Sequence, residues 1–473
     1  MTRSRTAQRL HPTLRTRLTG GVLLPLYYRV SGIDVVSLQR ELENDQWLGR
    51  EALEHKQARR IREILLHAWD HVPFYRKRFE ATGMQRADLE ERGILERIPP
   101  LTKQEVIEHC EEFVDTSNPR PLEWSTTGGS TGETVRFCQD RAALASIKAR
   151  EMRFHHWMGV QTGERIARLW GSPIDREKAY TLKERLLRRI KNVCFLDGYD
   201  LSEAAMAAYA KRLREFRPQL LIAFTTCLNI LAEYMEEHGL GGVRPRAILT
   251  TSSPLYPSYR ARFERLFECP VFDEYGSREF GGMAHECPAH QGLHVDMEDV
   301  HIEVTRARSL APAGDTGELL VTGLFNRAFP LIRYPIGDLG RHLSQPCACG
   351  RGSTLIEIVK GRSSELLMGP KGIPVLGEYF IDVFDSLPGE VRKFRIHQTG
   401  AKTLRVVLVA APAFGEGSRR YVLEAIAQKF GDEMEVEFEY MDEIPPLPSG
   451  KQLLTINETS PKPTDRGTAS QEP

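Results

Sequence analysis

From Leu38 to Phe79 the apolar residues recur at helical spacing, and Ile61, Ile64, Leu65, Ala68 and Trp69 fall on one face, which predicts helix. His71-Val72-Pro73 ends that pattern, since the residue before a proline is pushed out of the α region. Pro99-Pro100 predicts a turn, and Thr102 with Glu105 three residues on predicts a capped helix start. Residues 136–138 read as strand and 141–157 as a long helix. Helix (202–216), strand (219–224), helix (228–238), strand (246–251) and helix (257–267) then alternate, which implies parallel strands covered by helices on both faces. From Leu293 to about Arg341 the pattern is strand-rich, with Gly317–Thr322 the clearest case. Beyond Gly361-Arg362 a smaller α/β pattern follows: strand at 404–410, helix near 419–430, strand at 435–440. No internal repeat is evident.

Length and composition narrow the classes. A chain of 473 residues exceeds what one core usually holds, so more than one domain is expected. The expected division is a basic N-terminal arm at 1–35, a large domain at 36–360, a small domain at 361–458, and a polar tail at 459–473 expected to be disordered. With 64 basic and 64 acidic side chains the net charge is zero, which gives no reason to expect nucleic acid as a partner. The charge is uneven only at the start, where residues 1–33 carry six arginines and no acid. The apolar run at 21–28 is too short to span a bilayer, and no signal-peptide pattern is evident; a cytoplasmic protein is expected. An arm docked on the protein is the simpler expectation, with peripheral contact to an anionic membrane as the alternative. Eight cysteines in a chain of this length do not suggest a disulfide scaffold.

Five segments carry candidate chemistry. Ser125-Thr126-Thr127-Gly128-Gly129-Ser130-Thr131-Gly132 contains only hydroxyl and glycine residues. Such a loop offers backbone N–H groups and hydroxyl donors to phosphate oxygens, although the same content suits an ordinary flexible loop. No lysine follows Gly132, so it is not a P-loop of the GxxxxGK[ST] type. Tyr275-Gly276-Ser277-Arg278-Glu279 joins a ring that can stack on a base to a carboxylate that can hold a divalent cation. Arg333-Tyr334-Pro335-Ile336-Gly337-Asp338 puts an acid after a glycine at an expected strand end, suited to ribose hydroxyls; a plain Pro-Gly turn is the alternative. Gly361-Arg362-Ser363-Ser364-Glu365 and Pro448-Ser449-Gly450-Lys451 supply cationic groups, and a lysine after such a loop is a point charge for phosphate or carboxylate.

In this order the five segments resemble the adenylate-forming superfamily of acyl-CoA synthetases, in its phenylacetate–CoA ligase and CapK-like branch. The resemblance runs from Gln57…His67-Ala68…His71-Val72-Pro73-Phe74-Tyr75 to Lys451. It implies an α/β fold: a large domain of mostly parallel sheets flanked by helices with a distorted β subdomain, and a small mobile α+β lid. It also implies an AMP-forming ligase that uses ATP and Mg2+ to activate a carboxylic acid, with coenzyme A as acceptor. Ser125 to Gly132 would grip ATP, Tyr275 with its neighbours Gly276, Ser277 and Arg278 would border adenine, and Glu279 would bind Mg2+. Asp338 would hold the ribose, Arg362 would reach it from the junction, and Lys451 would bridge carboxylate and α-phosphate. The small domain would turn about residues 362–365 between half-reactions. Relatives in the branch are often dimers, so a homodimer is an expectation of resemblance alone.

The chain departs from the family pattern at Glu133-Thr134, Arg278, Pro335-Ile336, Ser364-Glu365 and Ser252-Ser253-Pro254. These changes leave the acid and the acceptor open. A CapK-like transfer to an amine or hydroxyl and an inactive binding relative are the alternatives to coenzyme A. Trp157, Trp170 and Phe224 are candidates to line the acid pocket, or to be core. Cys287, Cys347 and Cys349, with His294 or His290, offer ligands for a structural Zn2+ of the kind the branch sometimes carries; free thiols are the alternative.

Overall fold

The computed structural model describes residues 13–459 except 92, 118–121, 127–134, 171–181, 199, 201, 307–308, 360–366, 370–373, 376–379, 381–382, 385, 388–389, 446–452 and 454. Thr127 to Gly132, the expected hinge at 362–365, Arg362 and Lys451 therefore lie outside the described residues, and Thr126 is described in its backbone alone.

The chain opens with helices. α1 (Leu14–Leu18) continues through one π-helical turn (Thr19–Leu23) into α2 (Leu24–Val30), and α3 (Val35–Asp45) follows. The helical pattern expected from 38 to 79 is three elements: α3, α4 (Arg50–His71) and α5 (Pro73–Ala81). Gly49 caps α4 in extended conformation, and Val72 is extended ahead of Pro73, so both breaks have a backbone cause. α6 (Ile94–Arg97) and α7 (Lys103–Glu108) follow. At α7 the Thr102 hydroxyl accepts from the Glu105 N–H at 3.1 Å while the Thr102 N–H donates to Glu105 Oε2 at 2.7 Å. β1 (Glu123–Thr126) and β2 (Arg136–Gln139) form an antiparallel pair, and α8 (Arg141–Trp157) starts on Asp140, whose Oδ1 accepts from the Ala143 N–H at 2.8 Å.

The alternating part is β3 (Ile166–Trp170), α9 (Leu182–Lys191), β4 (Val193–Asp197), α10 (Glu203–Phe216), β5 (Leu220–Phe224), α11 (Thr225–Glu237), β6 (Ala247–Thr251), α12 (Pro257–Phe267) and β7 (Val271–Ser277). β4, β3, β5, β6 and β7 pair in parallel. β6 is buried along its whole length and four of β5's five residues are buried, as strands covered on both faces must be. The strand-rich part is β8 (Gly281–Glu286), β9 (Leu293–Val295), β10 (Val300–Arg306), β11 (Ser309–Leu310), β12 (Gly317–Gly323), β13 (Tyr334–Leu343) and β14 (Leu355–Val359). These strands join antiparallel onto β7, giving one twelve-stranded sheet in the order β11-β10-β12-β13-β14-β9-β8-β7-β6-β5-β3-β4. The sheet changes from parallel to antiparallel at β7. Residues 275–279 emerge at that change of direction.

A separate unit follows. β15 (Leu367–Met368) and β16 (Pro374–Val375) pair with each other, and β17 (Val391–Gly400), β18 (Thr403–Ala410), α13 (Glu416–Phe430), β19 (Glu435–Tyr440) and β20 (Thr455–Asn457) complete it. Its four-stranded sheet runs β19-β18-β17-β20. Its core of Leu367, Phe380, Ile396, Leu404, Leu408, Val422, Ile426 and Phe430 contains only residues of this unit. The larger part holds two main cores, one under the antiparallel half with α4 and α5, the other under the parallel half with α10 to α12.

Candidate active site and cysteine–histidine cluster

Tyr275 lies near the carboxyl end of β7, where ligands bind in open α/β sheets. Gly276 follows because strand β8 passes so close that a Cβ there would lie 2.6 Å from the Gly281 carbonyl oxygen. The Tyr275 hydroxyl donates to Asp338 Oδ2 at 2.9 Å, across 63 positions of sequence. The second and third motifs thus share one surface. Asp338 is not at a strand end, as the Pro-Gly pattern suggests, but inside β13. Leu320 of β12 faces Pro335 and Glu318 faces Leu339, so one residue of β12 opposes three of β13. Gly337 takes φ +84 within that bulge and Pro335 withholds a donor from the ladder. The bulge re-aims Asp338 toward Tyr275.

Glu279 sits in the turn between β7 and β8. The Gln139 side-chain amide donates to the Glu279 carbonyl oxygen at 3.3 Å, which ties the end of β2 to this turn. Thr126 pairs with Arg136, so the hydroxyl-rich segment is the connection of the β1–β2 hairpin, and Ser125 lies on β1 opposite Phe137. Hairpin, Glu279 and α8 therefore meet. A small crevice lies there, lined by Gln139, Ile147, Arg150, Glu279, Phe280 and Asn326 among others. Burial, and then the Glu279 carboxylate that hydrogen-bonds it, push the Tyr334 hydroxyl far above its ordinary range. Ser277 supports the turn by accepting from the Phe280 N–H at 3.3 Å.

Two arginines behind the site were not singled out from sequence. Arg150 and Arg153 of α8 are almost fully buried. Arg150 Nη2 lies 2.8 Å from Asp299, and its guanidinium also donates to the carbonyls of Phe280 and Gly282. Arg153 reaches Asp296 at 2.7 Å and Glu298 at 2.9 Å. Arg150 thus ties α8 to the turn that carries Glu279, and Arg153 ties it to the acidic connection ahead of β10. Two arginines three apart on an otherwise apolar helix face, with the acidic run Asp296–Asp299 downstream, were the available signal. Arg333, the first residue of the third motif, also has a structural place: it is buried, at φ +52, and binds Glu303 through Nε at 3.0 Å and Nη2 at 2.8 Å.

Of the aromatics considered for an acid pocket, Trp170 and Phe224 are neighbours, with ring centroids 4.4 Å apart at the ends of β3 and β5. Trp157 is elsewhere: it packs with Phe154, Cys287 and Cys347, and its indole N–H donates to Gln46 at 2.6 Å. Ser252 takes φ +73 after β6, a conformation a side chain disfavours.

A second cluster joins two connections far apart in sequence. Cys287, His294, Cys347 and Cys349 present ligand atoms that all lie within 4.8 Å of one another. Cys287 Sγ is 3.5 Å from Cys347 Sγ, and Cys349 Sγ is 3.3 Å from His294 Nε2. Sulfurs bound tetrahedrally at ~2.3 Å from a common ion would be ~3.8 Å apart, so the set fits zinc dimensions. The other ring nitrogen of His294 contacts Ser353 Oγ at 2.9 Å, which fixes the ring. His290 is not in the cluster; it faces Glu286 at 3.2 Å. Burial, then Arg351 and Arg153, lower His294 to about 4, keeping the imidazole neutral.

With this geometry in hand, the chain compares as follows. The domain family described as the CapK C-terminal domain matches residues 367–458. The crystal structure of 2-hydroxyisobutyryl-CoA ligase in the postadenylation state with R3-HIB-AMP superposes with a TM-score of 0.71 at 17% identity, covering 88% of this chain and 91% of that one. The chain has the fold of the adenylate-forming CoA ligases. Within that fold its similarities lie with the phenylacetate–CoA ligase and CapK branch. Protein CapK of Staphylococcus aureus is 23% identical over 374 residues, 77% of this chain and 80% of the relative. The phenylacetate-coenzyme A ligase of Escherichia coli (strain K12) is 27% identical over 331 residues, 67% of this chain and 72% of the relative. An open form of 2-hydroxyisobutyryl-CoA ligase with 2-HIB-AMP and CoA matches less well, at a TM-score of 0.56.

Proposed function

We propose that the protein is an AMP-forming ligase that activates a carboxylic acid with ATP and passes the acyl group to coenzyme A. The observation that carries this reading is the hydrogen bond from Tyr275 to Asp338, which gathers two distant motifs into a cradle for a nucleoside. A carboxylate oxygen of the acid attacks the α-phosphorus of ATP, the bond to pyrophosphate breaks, and an acyl-adenylate forms. The thiol sulfur then attacks the acyl carbon and AMP leaves. The first step joins two anions, so it needs cations and positioning more than it needs a base. In this reading the hydroxyl-rich segment through Gly132 grips the phosphates, Tyr275 borders adenine, Asp338 accepts from the ribose, and Arg362 and Lys451 supply positive charge. Glu279 would hold Mg2+, which offsets phosphate charge. Cys287, His294, Cys347 and Cys349 would hold a structural Zn2+, a closed set with no position for substrate.

The match to a CapK C-terminal domain favours a second reading, in which the adenylate is the same and the acceptor is an amine or hydroxyl. Carboxylate-dependent ATP–pyrophosphate exchange over a panel of aryl, fatty and hydroxy acids tests adenylation, with Lys451→Ala as control. Exchange with one acid class, lost in the variant, is the expected result; no ATP binding at all would sink the proposal. Thioester formation on adding coenzyme A then separates the two acceptors.

A further inference from the structure

Along the first described helical segment, Leu14, Leu18, Val22, Leu26 and Val30 are all solvent-exposed, at 86, 49, 54, 56 and 80%. Positions four apart on a straight α-helix drift by ~40° per step, so five of them would fan across ~160°. The π-helical turn at Thr19–Leu23 turns less per residue, opposes that drift and gathers the row toward one side. The opposite side is fixed to the body. Thr16 and Thr19 are buried, and Gly20 packs so closely that a Cβ would lie 2.2 Å from the Thr162 carbonyl oxygen. Leu24 and Tyr28 enter a core with Val35, Leu42, Ala145 and Ala149. The segment is thus anchored through Leu24 and Tyr28 while a second row of five apolar side chains faces outward, where an ordinary surface helix carries polar residues.

The surroundings are basic. Leu14–Val30 contains no acid, and its Arg15, Arg17 and Arg29 are exposed. α9 lies alongside: Arg15 donates to the Arg189 carbonyl at 3.3 Å, and Lys191 sits 4.5 Å over the Tyr27 ring. α9 has five basic residues to one acid, and its Leu186 is 59% exposed. Apolar side chains flanked by arginine and lysine with little opposing acid match the interface of an anionic bilayer. No single described helix is long and apolar enough to cross a membrane. Leu14–Val30 and Val35–Asp45 meet at a bend of 117°, and the second helix buries Val35 and Leu42 in the protein.

We propose that this face docks the protein on an anionic lipid surface, with α1 and α2 lying in the headgroup region and Leu14, Leu18, Val22, Leu26 and Val30 entering it. The proposal is independent of the acid and acceptor. The test is co-sedimentation of the full chain with vesicles of phosphatidylcholine alone and of phosphatidylcholine mixed with phosphatidylglycerol. Binding is expected on the mixed vesicles only and should weaken with added salt. Leu18→Glu with Leu26→Glu should lower it at least tenfold, and each of Arg15→Gln and Arg29→Gln about fivefold. All four side chains are exposed, so the melting temperature should hold, and circular dichroism checks this. Equal binding by the double-glutamate variant, or no binding of the native chain to mixed vesicles, overturns the proposal. So does a dimer in light scattering that the double-glutamate change dissolves, since a second copy would then be the occupant.

Discussion

Asp338 illustrates how much one side chain depends on its backbone. Its carboxylate faces Tyr275 only because Pro335 and Gly337 bulge the strand that carries it. Tyr275→Phe keeps the ring and removes one hydrogen bond to a carboxylate, so ATP affinity should fall about tenfold (~1.5 kcal/mol) with little change in fold. Asp338→Ala should cost on the order of a hundredfold, because the ribose acceptor goes as well; isothermal titration with ATP measures both. A different residue sets a pH limit. His155 is buried beside Glu151 and Lys148 of its own helix, Arg168 of β3 and Glu274 of β7, and burial lowers it to about 4. Between about 6.5 and about 4 the unfolded chain therefore takes up a proton that the folded chain refuses. This contribution to stability is fully present above that window and is lost as pH falls through it, on the order of 3 kcal/mol in all. Urea midpoints measured from pH 7 to pH 4 should show the slope, and His155→Gln should reduce it by the share of one proton, His294 and His301 contributing over the same window.

Among elements, the cysteine–histidine cluster joins the β8–β9 connection to the β13–β14 connection, next to strands that lead into the site. Cys347→Ser with Cys349→Ser should reduce bound zinc, measured by plasma mass spectrometry, from one per chain to less than about a tenth, and lower the melting temperature by several degrees. Retained zinc in that variant would count against the site. The elements themselves were largely legible. The Thr102 cap, α8, β5, β6 and α12 lie where apolar period and cap residues put them, because those signals are local; β3, α9 and β4 were not read from the sequence. What is non-local was not legible. Nothing at residue 275 marks residue 338 as its partner, and Pro335-Gly337 reads equally as a turn until β12 pairs on both sides of it. The choice of His294 over His290 likewise follows from β9, which pairs His294 with Leu355 just beyond the Cys347-Ala-Cys349 segment. Arg150 and Arg153 were missed because charged residues on a helix normally face water, and only the distant acids of 296–299 make burial tolerable.

At the scale of the molecule, the chemistry is divided between parts with separate cores. Tyr275, Glu279 and Asp338 belong to the part built on the twelve-stranded sheet, whereas Lys451 belongs to the stretch between β19 and β20, in the unit whose core begins at Leu367. Since the core of that unit uses only its own residues, a chain ending at Val359 should remain folded, melt cooperatively, keep zinc and bind ATP. It should lose pyrophosphate exchange by about a hundredfold or more, the scale of removing one charged group from a phosphoryl-transfer site. Lys451→Ala in the full chain should then fall by a similar factor, with its ATP affinity nearly unchanged. Comparing the two variants assigns the loss: equal losses put the whole contribution of residues 367–458 to adenylation in that one lysine. A truncated chain much worse than Lys451→Ala would mean that other groups of the smaller unit, Arg395 or His397 of β17 among them, also bear on the nucleotide. A truncated chain with full exchange would confine the first half-reaction to the larger part and leave the smaller one to act only in the transfer of the acyl group.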